Sequence, residues 1–187
     1  NSAQLFAPPA ELTFRGGALA IHHITLLNDS TILFGLTGKG LFKFDITSKK
    51  FSFIQYINSI MSRLVTDISA IIPVDKNAAL IITYNKVLHY NNITQSINLL
   101  AEFPDGILSN CAWSDANTNS VLIGTTKGLF QFEKNILTPV VFPGMKEKKL
   151  ESVTVRAVYK DTKGTMWIGT ENGVIAIDKY QTETILY

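Results

Sequence analysis

The 187-residue chain has a single cysteine, Cys111, which excludes an intrachain disulfide and any cysteine-based zinc cluster. One cysteine leaves the compartment open, because exported proteins can do without disulfides. Long apolar runs are also missing. The best, Ile68 to Val74, has the length of a strand, whereas a membrane helix needs roughly 18 apolar residues. Neither sign of charge dominates: 17 Lys+Arg against 15 Asp+Glu leave a net charge of +2, too little for a strongly basic nucleic-acid binder. The Met145 to Leu150 connection, with three lysines, reads as a solvated loop. The stretch Asn1 to Ala10 lacks a basic start and a sustained apolar core, so it is not a signal peptide. The chain does not begin with Met, which implies a piece of a longer polypeptide. No glycine-rich phosphate loop, nucleophile elbow or paired-carboxylate motif occurs, and no cofactor or metal is expected.

What is present is apolar and repetitive. Hydrophobic residues make up 46% of the chain, enough to fill a core and to exclude disorder. The segment Phe34-Gly35-Leu36-Thr37-Gly38-Lys39-Gly40-Leu41-Phe42 recurs as Leu122-Ile123-Gly124-Thr125-Thr126-Lys127-Gly128-Leu129-Phe130 and as Trp167-Ile168-Gly169-Thr170-Glu171-Asn172-Gly173-Val174-Ile175. A weaker copy, Leu80-Ile81-Ile82-Thr83-Tyr84-Asn85-Lys86-Val87-Leu88, has Lys86 where the others place glycine. Thr37, Thr83, Thr125 and Thr170 stand 46, 42 and 45 residues apart. Such periods are sought first because they decide a fold.

Each unit reads as four short strands. An alternating segment comes first (His23 to Leu27, Ile68 to Val74, Asn110 to Ser114, Val153 to Tyr159), then the threonine block and the glycine-led block. The fourth strands fall at Phe51 to Tyr56, Ile97 to Leu100, Thr138 to Phe142 and Thr182 to Tyr187. Asp161-Thr162-Lys163-Gly164 suits a type I turn followed by a left-handed glycine, and Asp29-Ser30 and Asp75-Lys76-Asn77 hold the same place earlier. Gly40, Gly128 and Gly173 close the next connection, where positive φ is expected. No segment carries a helical period. The fold class is therefore all-β, with four four-stranded antiparallel repeats over 12–56, 57–103, 104–143 and 144–187, the pattern of β-propeller blades. Seven blades at this period would take about 310 residues, so the chain reads as a single partial propeller region of a larger, seven-bladed ring.

The stretch Asp161-Thr162-Lys163-Gly164-Thr165-Met166-Trp167-Ile168-Gly169-Thr170-Glu171-Asn172-Gly173-Val174 resembles the two-component regulator propeller repeat, Asp-x-x-Gly-x-hydrophobic-Trp-Ile-Gly-Thr-x-x-Gly-hydrophobic. Asp105-Gly106-Ile107-Leu108-Ser109-Asn110 is similar to the phrase that precedes a first strand in that family. Phe34, Leu80 and Leu122 stand where the family has Trp. The resemblance implies the extracytoplasmic, periplasmic sensor region of a hybrid two-component histidine kinase. It further implies an oligosaccharide ligand, a linked kinase and transcriptional response, and partner blades elsewhere in the parent chain. A homodimer is a further possible partner; direct contact with nucleic acid and embedding in a membrane are not expected.

Candidate residues divide into structural and recognition groups. Trp167 is read first as packing between blades, Asp161 as a turn cap, and the four threonines as hydrogen-bonding within or between blades. His22 and His23, adjacent on a strand, point to opposite faces and make a poor metal pair. Asn110, Trp113, Arg156, Arg63 and His23 break the repeat at or just before first strands. Amide and guanidinium donors there, beside an aromatic face, suit a hydroxyl-rich ligand. The expected function is non-catalytic recognition; the alternatives are a propeller-type polysaccharide lyase or hydrolase, or a structural docking propeller.

Overall fold

The computed structural model describes residues 6, 21–36, 39–54, 67–114, 120–141 and 153–178, together with the backbone of 183–186. Among these residues there are sixteen strands and no helix. They form four sheets of four strands, each in chain order: β1 (Ile21–Asn28) to β4 (Lys50–Phe53), β5 (Ile68–Asp75) to β8 (Ser96–Glu102), β9 (Ser109–Ser114) to β12 (Ile136–Pro139), and β13 (Val155–Lys160) to β16 (Glu183–Leu186). The inner pairs are β2 (Thr31–Leu36) with β3 (Gly40–Asp45), β6 (Ala78–Thr83) with β7 (Lys86–Asn91), β10 (Val121–Thr125) with β11 (Gly128–Glu133), and β14 (Met166–Thr170) with β15 (Gly173–Ile177).

The inner pairs hold the core. Every residue of β6 is buried, and Leu33, Leu41, Ile81, Val87, Leu88, Ile123 and Ile168 are fully enclosed. Strands covered on both faces read as continuous apolar runs, whereas the outer strands β4 and β12 are largely exposed. Each fully enclosed Leu or Ile contributes about 1.5–3 kcal/mol of burial.

The chain divides into two compact units, Asn1–Ile81 with His89–Asn98, and Ile82–Leu88 with Leu99–Tyr187. In the first, Phe34, Leu36, Phe42 and Phe44 form a cluster joined by Phe6, Ile32 and Phe51. Phe34 stacks on Phe42 at 5.7 Å between centroids and meets Phe51 edge-on at 5.6 Å. A Cβ on Gly35 would stand 3.0 Å from the Cβ of Ile68, so glycine lets β5 approach β2. Asn28 Nδ2 donates to the Lys76 carbonyl at 2.7 Å and ties the turns of the first two sheets together. In the second unit, Leu129, Val155, Ile168, Ile175 and Ile177 form the cluster, with Leu122, Val140 and Val158 packed against it.

The connections follow side-chain chemistry. Between first and second strands, Asn28 Oδ1 accepts from the Ser30 N–H, Asp75 Oδ1 from the Asn77 N–H, and Asp161 Oδ1 from the Lys163 and Thr165 N–H groups. In the first sheet the cap is Asn28, one residue before the Asp29 expected from the sequence; the amide oxygen serves the Asx turn as a carboxylate does. Between third and fourth strands, Asp45 and Asn91 cap turns that end on Lys49 and Gln95, both at positive φ (57° and 53°). The segment Glu11 to Arg15, expected as an outer strand of a preceding blade, lies outside the described residues.

Candidate functional site

Thr83, Thr125 and Thr170, three of the threonines that mark the repeat, clamp the hairpins between second and third strands. Thr125 Oγ1 donates to the Gly128 carbonyl at 2.9 Å and accepts from the Lys127 N–H at 3.0 Å. Thr170 makes the same two bonds with Gly173 and Asn172, at 2.9 and 3.1 Å, and Thr83 donates to the Lys86 carbonyl at 3.3 Å. Gly40, Gly128 and Gly173 follow these tips at φ 95°, 85° and 127°. Lys86, in the equivalent place, keeps φ negative. Its side chain is buried, with the ammonium paired to Glu102. Thr37 lies outside the described residues, as does Arg63.

One end of the second unit gathers polar side chains through a shared irregularity. The pairing of β13 with β14 skips Arg156 between Val155 and Ala157, and the pairing of β9 with β10 skips Asn110 between Ser109 and Cys111. Asn110 and Arg156 thus sit at the same bulge in successive first strands. A bulge re-aims its side chain relative to regular alternation. Asn110 Nδ2 donates to the Val155 carbonyl at 3.0 Å, and Arg156 Nη1 to Asn110 Oδ1 at 3.4 Å. Arg156 Nη2 is paired with Glu171 Oε1, both side chains about half exposed. The Ser109 N–H donates to the Tyr84 carbonyl at 2.8 Å, which ties the backbone of that hairpin tip to β9. Asn110, Arg156 and Glu171 therefore form a linked row across two successive sheets, with the Tyr84 backbone bonded to the start of β9.

The remaining candidates stand apart from this row. Trp113, half-buried on β9, lies opposite Leu122. His23, half-buried on β1, lies opposite Gly35, and burial followed by the neighbouring His22 holds its pKa below the usual value. His22 is itself skipped in the β1–β2 register, so strict alternation of the two rings does not hold there. Trp167 Nε1 donates to Asp161 Oδ2 at 3.0 Å, and Gly164 takes φ 87° in the same turn. That indole bond, with the Thr165 and Lys163 N–H groups, holds the Asp161 carboxyl below the usual aspartate range. Burial pushes the Cys111 thiol up. Tyr84 and Glu171 were missed by reasoning from the repeat. The signal was available: each directly follows a repeat threonine, where the copies diverge.

Four sequential four-stranded meanders are the blades of a β-propeller, and comparison with solved structures agrees. The extracellular domain of a hybrid two component system from B. thetaiotaomicron aligns with 89% of the chain at TM-score 0.70 and 19% identity. A second such domain from that organism aligns with 96% at TM-score 0.69 and 19% identity, and the WD40 β-propeller domain of Doa1 with 84% at 0.61 and 9%. The chain spans 22% and 25% of the two extracellular domains and 50% of the WD40 domain. No match was found among curated proteins. Residues 149–172 match the family model described as two component regulator propeller, so the chain carries a repeat of that family.

Proposed function

We propose that this chain is recognition material from the extracytoplasmic, periplasmic sensor of a hybrid two-component receptor, sensing an oligosaccharide and controlling a linked histidine kinase. The observation that carries the reading is the regulator-propeller match over 149–172, in a chain that shares its fold with extracellular domains of two hybrid two component systems. Two carboxylates near the candidate residues favour recognition over acid–base catalysis. Glu171 is paired with Arg156, and Asp161 is bonded to Trp167 and two backbone N–H groups. A general acid working near neutral pH needs a raised pKa, whereas that of Asp161 is lowered. The test is the coding sequence beyond Tyr187: a membrane helix, kinase and receiver are expected, and a stop codon soon after Tyr187 overturns the reading. Oligosaccharide-dependent autophosphorylation of the full-length product is the biochemical counterpart.

A further inference from the structure

We infer that Tyr84, Asn110, Arg156 and Glu171 form a recognition site for a neutral ligand bearing vicinal hydroxyl groups. The inference rests on the recognition reading above and names the site and the charge class. Asn110, Arg156 and Glu171 come from two successive sheets yet are linked side chain to side chain, and Tyr84 stands at the tip of the adjoining hairpin. Tyr84 is joined to the Asn110 strand through the Ser109 N–H, Asn110 to Arg156 side chain to side chain, and Arg156 to Glu171. Two of the four sit on β-bulges at equivalent places in successive first strands, so the same local irregularity recurs where polar side chains must be aimed.

The chemistry of the row selects the ligand. Arg156 offers five N–H donors in a planar fork and is more than half exposed, so donors remain beyond its bonds to Asn110 and Glu171. Glu171 supplies only acceptors. A hydroxyl is at once a donor and an acceptor, so two adjacent hydroxyls can bridge a guanidinium and its carboxylate partner, each filling what the other leaves. Tyr84, 52% exposed, offers an aromatic face at the tip of the hairpin whose backbone is bonded to the start of β9. An anionic ligand fits less well. The Arg156 charge is already countered by Glu171, and a second carboxylate would have to displace it and leave two like charges side by side. The nearby cation Lys127 has its ammonium beside Gly106, at the Asp105–Gly106 turn.

The experiment is titration calorimetry of the full chain with neutral manno- and xylo-oligosaccharides and with acidic oligogalacturonate. Thermal melts run in parallel, so that loss of binding is separated from loss of fold. The wild-type chain is expected to bind a neutral probe in preference to oligogalacturonate. Arg156→Ala and Tyr84→Ala should each weaken that binding about tenfold or more, since each removes a charged donor or a stacking face. Arg156→Lys, which keeps the charge but not the fork, should weaken it as well. Glu171→Gln should shift preference toward oligogalacturonate by freeing the Arg156 charge. Tighter wild-type binding of oligogalacturonate, or no neutral binding at all, overturns the inference. Unchanged affinity in both alanine variants also overturns it, yet leaves the sensor reading standing, because that reading is tested separately by kinase output.

Discussion

At the scale of single residues, the repeat is maintained by hydrogen bonds that a change of one atom removes. Thr125 is fully buried, and its hydroxyl both donates to the Gly128 carbonyl and accepts from the Lys127 N–H. Thr125→Val keeps the shape and leaves both backbone groups short of a partner, at a cost of about 1–3 kcal/mol in chemical denaturation. Thr125→Ser should recover most of that loss, because the hydroxyl returns. Asp161 adds a pH dependence. Its pKa is lowered in the folded state, foremost by the Trp167 indole bond, so its stabilising effect is complete above the ordinary aspartate value of 3.8 and fades as pH falls through the folded value. Melts of the wild type and Asp161→Asn should therefore differ most near neutral pH and converge under acid. A gap that persists unchanged into strong acid would contradict the carboxylate's role.

Single strands and hairpins follow a different logic, set by how closely neighbouring elements approach. A Cβ added to Gly124 would meet Cys111 Sγ and Val155 Cγ1 at 2.6 Å, whereas one on Gly169 meets only Ala157, its nearest atom at 3.3 Å. Gly124→Ala should cost about 1–3 kcal/mol, as overpacking does, and Gly169→Ala much less. Equal losses would show that propensity rather than contact keeps these glycines. Strand number, sheet order and the hairpins were legible in the sequence because a 42–46-residue period repeats both apolar alternation and turn residues. The Asn110–Arg156 pairing was only half legible. Both residues broke the pattern visibly, but their contact depends on bulges in two separate sheets, and a repeat read strand by strand assumes regular alternation. Glu171 was hidden because a charged residue at a hairpin tip is ordinarily solvated, and its pairing with a residue fifteen positions earlier appears only once β13 and β14 are in register.

For the whole molecule, the informative fact is where apolar surface stays open. Ile21, Ile24 and Leu26 on β1 are 54%, 68% and 56% exposed, while Leu27 on the same strand is buried. Ile24 and Leu26 pair in register with Phe34 and Ile32, so they extend the face that carries the phenylalanine cluster, while the opposite face meets β5 where Gly35 admits Ile68. Blades stabilise one another by burying such surfaces against a neighbour, as in any array of repeats. Three large aliphatic side chains on one strand are more than scattered surface exposure explains, and left open they favour association. The chain alone should therefore self-associate with rising concentration in light scattering. Ile24→Lys with Leu26→Lys should shift it toward monomer without lowering the melting temperature, since those side chains are largely exposed at the start. A wild-type chain that stays monomeric at high concentration would mean that this strand is covered by residues of the same chain.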